Sequence, residues 1–586
     1  MLSSTQNEKI FERKFIMKKS ISFILSAIML LCVFAVPLSV TAEDIMTPYD
    51  VPKILFYTED GVTPPSDKTK INTEVYIIDE EGGQYETIHV PLEADEDGKY
   101  TTVNVRGNST SAAHKKAYNF KFTSKIDVLG MGKNKKWPLL ANAYEKTLLR
   151  NKTVLDVAPQ IGVPYTPDYK VVDVYMNDVL LGSYLLVDSV EVGSTRVDID
   201  VDNNEYLLEL DYNTPDEDCY YFYSGVYNVK FAINEPEIED LTEDQKTYVE
   251  DLLTKAEQAL QTGRISEIEK YFDLDSMSSF YLVLEFFKNV DVNTSSTRFH
   301  IKGGKIYGGP VWDFDLSSGN YREDYYTSLY DSNGNSYKGL WATTMPWFGA
   351  LTNVSSFQNT VEEKFLEYQD IFVNLYADNI NGQNHIDETI DTYGESYARN
   401  YNEAGWKFAI ETDGFVLERT PLPTYEANVE YYREWLKNRN EWLLEEWGLD
   451  NTTVTMNSNS TFVQDGYLIK GAEAGMKVSS LLANFSSGTS LMKDGVALAT
   501  TANIPNGAVI TKGGASYAVI VKGDVDGNGE LATNDYIMVK RACMDNLALD
   551  GIDNLAADVD DDEEFGLFDY LLLKRHVMGT YDIYGD

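Results

Sequence analysis

Two stretches near the C-terminus, DVDGNGELATNDYIMVKR from Asp524 and DVDDDEEFGLFDYLLLKR from Asp558, repeat one pattern at an offset of 34 residues. Asp524, Val525, Asp526, Asp535, Tyr536, Lys540, Arg541 and Met544 recur in register as Asp558, Val559, Asp560, Asp569, Tyr570, Lys574, Arg575 and Met578. The repeat constrains the fold because each copy places oxygen ligands at positions 1, 3, 5 and 12 of a loop that runs into a helix. These are Asp524, Asp526, Asn528 and Asp535, then Asp558, Asp560, Asp562 and Asp569, with the carbonyls of Glu530 and Glu564 available at position 7. Hard carboxylate oxygens at this spacing suit Ca2+. Acidic linkers without a metal would have no reason to repeat matching Tyr and Lys-Arg positions.

An ordinary EF-hand loop closes with a bidentate Glu and follows a helix. Both loops here close with Asp, and the first follows the strand-like run YAVIVKG ending at Gly523. In these features residues 522 to 582 resemble a type I dockerin, the module that plugs into cohesin domains of cellulosome scaffolds. The resemblance implies bound Ca2+, a cohesin partner and a cellulosome-associated, extracellular setting. Loop 1 has the turn glycine, Gly529, whereas loop 2 has Glu563 there, which asks for an unusual backbone conformation. Dockerin partner choice rests on loop positions 10 and 11, here Thr533 and Asn534 in one copy but Leu567 and Phe568 in the other. Unequal faces imply one preferred docking orientation.

The N-terminus agrees with export. Lys18 and Lys19 precede an apolar run over residues 21 to about 36, then Pro37 and the small-residue stretch SVTA. This is a secretory signal pattern, residues 1–42, with cleavage after Ala42 and Met17 as an alternative start. An uncleaved anchor competes with it, because the run approaches spanning length; Ser20, Ser22, Ser26 and the Val40/Ala42 pair favour cleavage. Cys32 leaves with the signal, and Cys219 and Cys543 fall in different units, so no disulfide framework is expected. With 93 acidic residues against 49 basic ones the net charge is −44. That balance disfavours nucleic acid and anionic membranes as partners.

The mature chain divides into a large unit at residues 46–450, a polar linker at 451–459, a small β module of unknown use at 460–521 and the calcium-loop unit at 522–586. The large unit opens with strand-like runs (ILFY, EVYIID, TTVNVRG, YNFKF, VVDVYM, SYLLVDSVEV). Long helical patterns follow: LTEDQKTYVEDLLTKAEQAL with its acidic first turn, and YEANVEYYREWLKNRNEWLLEEWG stopped at Gly448. Strands first and helices later predict an α+β fold.

Candidate chemistry lies in the large unit. In KNVDVNTSSTRFHIKGGKIYGGPVWDFDLSSG, residues 288–319, Gly303-Gly304 between alternating runs signals a two-residue hairpin. Pairing Lys302 with Lys305 sets Asp313 opposite Thr294, beside the segment around Asp291. If the second strand continues, Asp313 and Asp315 share one face while Trp312 and Phe314 take the other. Three carboxylates would then converge, an arrangement that calls for a divalent cation. Upstream, Arg106, Gly107, Asn108 and Ser109 make a turn whose amides could face phosphate. In the strand after it Tyr118, Phe120 and Phe122 alternate with Asn119 and Lys121. On its own such a turn is commonplace, and strand lysines are usually solvated.

Taken in order, RGNSTSAAHKKAYNFKF, WPLLANAYEKTLLRNKTVLDVA, VYMNDVLLGSYLLVDSV, FAINEPE, KNVDVNTSS, GGPVWDFD, MPWFGALTN and RNEWLLEEW resemble the CotH (spore-coat protein H) family, regarded as atypical protein kinases. The resemblance implies a kinase-like large domain using ATP with Mg2+ or Mn2+. Asp291 would be the catalytic aspartate acting on an acceptor hydroxyl, Asp313 the metal ligand and Asp315 a second. Lys116 or Lys121 would contact the nucleotide phosphates, with Arg106 assisting. Where relatives have Glu in G-x-Y-x-L-x-E this chain has Asp188, with Glu191 shortly after, which puts turnover in question. Two functions stay open: a secreted CotH-type kinase acting on a protein or cell-wall acceptor, for which extracellular ATP is scarce, or a non-catalytic CotH-fold binding subunit. An accessory role in plant polysaccharide degradation follows from the dockerin context alone, and glycoside hydrolysis has no support in the residues.

Overall fold

The strand-rich first third of the chain rolls up on itself. Strands β1 (Lys53–Thr58), β2 (Ile71–Glu81), β3 (Gln84–Val90), β4 (Thr102–Val105), β5 (Tyr118–Asp127), β6 (Lys133–Leu140), β7 (Tyr169–Met176) and β8 (Val179–Val187) form one sheet in the order β1-β7-β8-β6-β5-β4-β2-β3. Because β1 also pairs with β2, from Lys53↔Ile78 to Thr58↔Thr73, seven strands close into a barrel with β3 as an outer flap. Alternation fills the interior: Phe56, Ile77, Val103, Phe120, Phe122, Trp137, Val172, Val174 and Leu186 are all buried there. The computed structural model describes residues 50–585 apart from 82–83, 214–217, 380–382, 450–455, 457–459, 466, 486–488, 494, 513–514, 545, 550 and 563–564. The expected signal segment, and Glu563 and Glu564 of loop 2, lie outside the described residues.

The second half of the large unit packs helices on an antiparallel sheet. Helix α1 (Arg150–Gln160) leaves the barrel after β6. Strands β9 (Tyr206–Leu210), β10 (Tyr220–Tyr223), β11 (Lys230–Glu235), β12 (Thr297–Lys302) and β13 (Lys305–Gly308) pair in the order β10-β11-β9-β12-β13. Around them lie α2 (Glu243–Gln261), α3 (Ile265–Ile268), α4 (Leu274–Phe287), α5 (Pro346–Thr352), α6 (Ser355–Glu367), α7 (Gln369–Asn374), α8 (His385–Asn402) and α9 (Tyr425–Glu446). Thr242 caps α2 through a capping box: its Oγ1 accepts from Gln245 N, and Gln245 Oε1 accepts from Thr242 N. Helix α4 is buried continuously from Ser276 to Phe287 and is the axis of this half. A stripe on α9, Val429, Tyr432, Leu436, Arg439 and Leu443, closes over it at helical spacing.

The two C-terminal units are smaller. Strands β14 (Val463–Asp465), β15 (Leu468–Glu473), β16 (Ser490–Lys493), β17 (Val496–Ala497), β18 (Ala508–Lys512) and β19 (Ala515–Lys522), with helix α10 (Val478–Leu482), form a six-stranded sheet of their own. Met456, inside the expected linker, already bridges to Phe485 of this module. Helices α11 (Thr533–Ala542), α12 (Gly551–Ala557) and α13 (Leu567–Val577) complete the chain. Cys219 and Cys543 are free thiols. No described helix is long and apolar enough to cross a membrane.

One ion pair bolts α9 to α4. Arg439 donates to Glu285 at 2.6 Å with both side chains fully buried, while Trp341 N and Ala342 N satisfy the rest of the carboxylate at 2.8 and 2.9 Å. Removing one partner of such a pair strands the other charge. Arg439→Met should therefore destabilise the large domain by about 3–5 kcal/mol, and adding Glu285→Gln should recover part of that loss. Scanning calorimetry of the full chain reads both; an unmoved transition in the single variant would remove this pair from the account of stability.

Candidate functional site

The hairpin forms with Lys302 opposite Lys305 and a left-handed Gly303-Gly304 turn, φ 56° and 76°. The expected continuation of its second strand does not. Pairing stops at Phe299↔Gly308, and residues 309–315 run as irregular backbone, so no ladder sets Asp313 opposite Thr294. Asp313 instead sits at φ 65°, a left-handed conformation that a non-glycine residue keeps only when its surroundings impose it. Those surroundings are visible. Asn289 Nδ2 donates to the Asp313 carbonyl at 2.9 Å, Ser296 Oγ reaches the Asp313 carboxylate at 3.4 Å, and Asn151 Oδ1 accepts from Phe314 N at 2.7 Å.

The irregular path also redistributes the aromatics. Phe314 is buried against Phe287 in the core, while Trp312 lies under two guanidinium groups, Arg106 at 5.4 Å and Arg298 at 5.7 Å. Both rings pack against the core of the helical half, Phe314 buried and Trp312 in part. Arg298, which no sequence motif marks, is paired with Glu209 at 3.1 Å; Glu209 in turn accepts from Ser296 N, whose hydroxyl reaches Asp313. Only the three-dimensional return of β9 beside β12 brings Glu209 here, and no local motif announces it.

Asp291, Asp313 and Asp315 feel one another's charge but do not close into a chelate. Desolvation and then Asp313 push the Asp291 carboxyl up to about 8, although the side chain keeps a partly exposed face. Burial first, then Asp313, Asp291 and Glu145, hold Asp315 well above the ordinary carboxylate range. Burial lowers the Arg106 guanidinium, against the pull of Asp313 and Asp315. The three do not form a compact cluster: among the described residues, the groups of three or more carboxylates with oxygens within 4.8 Å of one another are those of the two C-terminal loops. Asp313 and Asp315, with Arg106 beside them, offer oxygen atoms that could hold a divalent ion in company with other oxygen ligands.

The lysines behave differently from Arg106. Lys116 Nζ donates to Ser111 O at 2.7 Å, bracing its own turn, and Lys121 is exposed on the barrel wall between Thr102 and Lys136. The charges that act most on Asp291 and Asp315 are those of neighbouring carboxylates, Asp313 first. The turn at 109–114 is itself tied down by His114 N to Glu411 O and Asp413 N to Ala112 O. Asp188 and Glu191 both pair with Arg196, at 3.2 and 2.8 Å, and Glu191 also meets Lys136 at 2.9 Å. Burial raises Asp188 to about 6 against the pull of Arg196. The Asp188 position is therefore part of an ion network beside the barrel, and it orients neither Lys116 nor Lys121.

Both C-terminal loops gather their acids. Oxygens of Asp524, Asp526 and Asp535 lie within 4.8 Å of one another, as do those of Asp558, Asp560 and Asp569. Each position-12 Asp does two jobs. Asp535 accepts from Val525 N, Asp526 N and Ala532 N, and Asp569 from Val559 N, Asp560 N and Gly566 N, so the ligand also caps its helix. Asn528 and Asp562 stand at position 5, their amides turned to Asp524 and Asp558. Glu530, whose carbonyl was expected at position 7, points its side chain at Asn503. Desolvation raises Asp524, Asp535 and Asp560, the signature of crowded carboxylates that a divalent cation would relieve. In loop 2 the left-handed residue among those described is Asp561, φ 58°.

Comparison with known proteins agrees with this division. The model of the CotH kinase protein family matches residues 103–443, and that of the dockerin type I domain matches residues 522–578. No curated protein matches the chain. With more than half of its length inside the first match, the chain belongs to the CotH kinase protein family, and it carries a type I dockerin, a calcium-binding domain, at its C-terminus.

Proposed function

We propose that the protein is a secreted phosphotransferase of the CotH type, delivered to a cohesin-bearing cellulosome scaffold by its dockerin. The observation that carries the phosphotransfer reading is the gathering of Asp291, Asp313 and Asp315 with Arg106 around a backbone held in a left-handed turn. Phosphoryl transfer asks for positioning, positive charge on the phosphate oxygens and a carboxylate beside the nucleophile. Asp313, with Asp315 behind it, would hold Mg2+ or Mn2+, which supplies charge neutralisation across the phosphates of ATP. A site too open for a chelate suits a metal that keeps phosphate oxygens among its ligands. Arg106, beside Asp313 and Asp315, would meet the same phosphates, the part expected of Lys116 or Lys121 with Arg106 assisting. Asp291 would be the carboxylate beside the acceptor hydroxyl; burial and then the charge of Asp313 raise its carboxyl to about 8, and a cation on Asp313 would draw it back toward the charged form that accepts a proton.

A second reading, a non-catalytic CotH-fold binding subunit, is favoured by one observation: the network of Asp188 and Glu191 engages Arg196 and Lys136, while Lys116 is spent on the carbonyl of Ser111. Calorimetry with labelled ATP separates the two. Asp313→Ala should lose most nucleotide affinity in Mg2+ or Mn2+, whereas Asp291→Asn should keep it and lose turnover by about a hundredfold or more. Wild-type protein that neither binds nucleotide nor transfers phosphate would leave the binding-subunit reading standing. Binding without transfer would place the defect at Asp188.

Docking is tested separately. Chelating calcium from the full chain should lower its helicity and abolish cohesin binding, because crowded acids repel once the ion is gone and so small a unit has little core to resist them. Asp524→Ala and Asp558→Ala should each weaken cohesin capture. Capture unchanged in EGTA would defeat the docking assignment.

A further inference from the structure

Loop 1 is not built by the dockerin alone. Asp524, its first ligand, is fully buried, and its Oδ2 accepts from Gly529 N and from Asn506 N, both at 2.8 Å. Asn506 belongs to the turn before β18 of the preceding β module. Its side chain is buried as well: Oδ1 accepts from Val521 N at 3.1 Å, and Nδ2 faces Asp553 Oδ1 at 3.4 Å. Its carbonyl accepts from Lys493 Nζ at 2.8 Å. One asparagine thus joins β16, β19, α12 and the first calcium ligand.

Two further contacts press on the same loop. Gly475 N of the β module donates to Gly529 O at 2.8 Å, and Asn503 Nδ2 reaches Glu530 at 3.3 Å. Gly529, the turn glycine, has φ 84°, and a Cβ there would stand 2.9 Å from Asn503 Cβ and 3.2 Å from Ile504 O. Glycine is required at this position by the loop and by the neighbouring module together. From the C-terminal end, Tyr584 donates to Lys522 O at 2.8 Å and accepts from Ala474 N at 3.1 Å. Loop 2 meets the module differently, through the Lys522 to Asp561 pair at 2.8 Å, in which Asp561 is largely exposed. Thr533, Asn534, Leu567 and Phe568 all remain exposed, so the module grips loop 1 away from the residues at positions 10 and 11.

We propose that the β module of residues 460–521 is the second wall of the first calcium site, with Asn506 the positioning residue that presets Asp524. Calcium binding by loop 1 is thereby coupled to the module, and binding by loop 2 is not. Preorganisation of this kind raises affinity by removing the ordering cost from the binding step. It also makes β module and dockerin one folding unit. The inference rests on calcium filling both loops, and the test separates that premise from the coupling.

Calcium is titrated calorimetrically into the metal-stripped full chain while hydrogen exchange is followed by peptide. Two binding steps are expected in the wild type, with slowed exchange at residues 474–477 and 503–507 as well as in loop 1. Asn506→Ala keeps the backbone donor but frees its anchors, and should weaken one step by about tenfold, the scale of one lost hydrogen bond, leaving the other within about twofold. Should that variant fold poorly, Asn503→Ala, on the module surface, should weaken the same step by a few-fold. Two normal binding steps without added protection in the β module, or variants that shift both steps equally or neither, would overturn the coupling. No uptake by either loop would overturn it together with its premise.

Discussion

The large domain depends on how the first turn of α1 is bolted to the acidic loop after β13. Arg150 donates to Ser317 O at 3.2 Å and pairs with Glu145 at 2.9 Å, both side chains buried, while Asn151 accepts from Phe314 N and donates to Asn142 Oδ1. These groups come from the excursion between barrel strands β6 and β7 that packs on the helical half, and they end on the loop that bears Asp313 and Asp315. A strained aspartate between two bodies needs such bracing, because each left-handed non-glycine residue costs on the order of 1 kcal/mol or more unless its neighbours over-determine it. The same bolt that joins the halves therefore shapes the site between them.

The chain handles its acidity in two distinct ways. In the dockerin the carboxylates close on themselves and borrow backbone amides, in loop 1 one of them from Asn506 of the β module. In the CotH domain three aspartates stay apart, share their surroundings with Arg106, and leave coordination for a ligand that brings its own oxygens. Burial first, and then the charge of Asp313, raises the carboxyls of Asp291 and Asp315.

Much of this was legible in the residues. Alternation located β1, β4, β5, β7 and β8, helical periodicity located α2 and α9, and the Gly303-Gly304 pair fixed the hairpin register, because each signal is local. Closure of the barrel through β1 and β2 was not legible, since it joins strands by a pairing no spacing encodes. The loss of strand after Gly308 was hidden for a similar reason: alternation in WDFD is satisfied equally by a strand and by a braced loop, and the brace, Asn151, lies far away in sequence. Lys116 and Lys121 drew attention as charges, yet Arg106 holds the place beside the aspartates because the strand end, and not the strand face, points there. The acidic clusters of the two loops were legible because their spacing is itself the chemistry. The hold of Asn506 on Asp524 was invisible, because a turn asparagine carries no mark of its partner.

The most direct test of the central claim is anomalous diffraction from crystals of the full chain grown with Mn2+ and a non-hydrolysable ATP analogue. The account predicts manganese against the carboxylates of Asp313 and Asp315, bridged to phosphate oxygens that Arg106 also contacts, with Asp291 facing the terminal phosphate. Manganese confined to the two calcium loops, with no nucleotide beside Arg106, would contradict it.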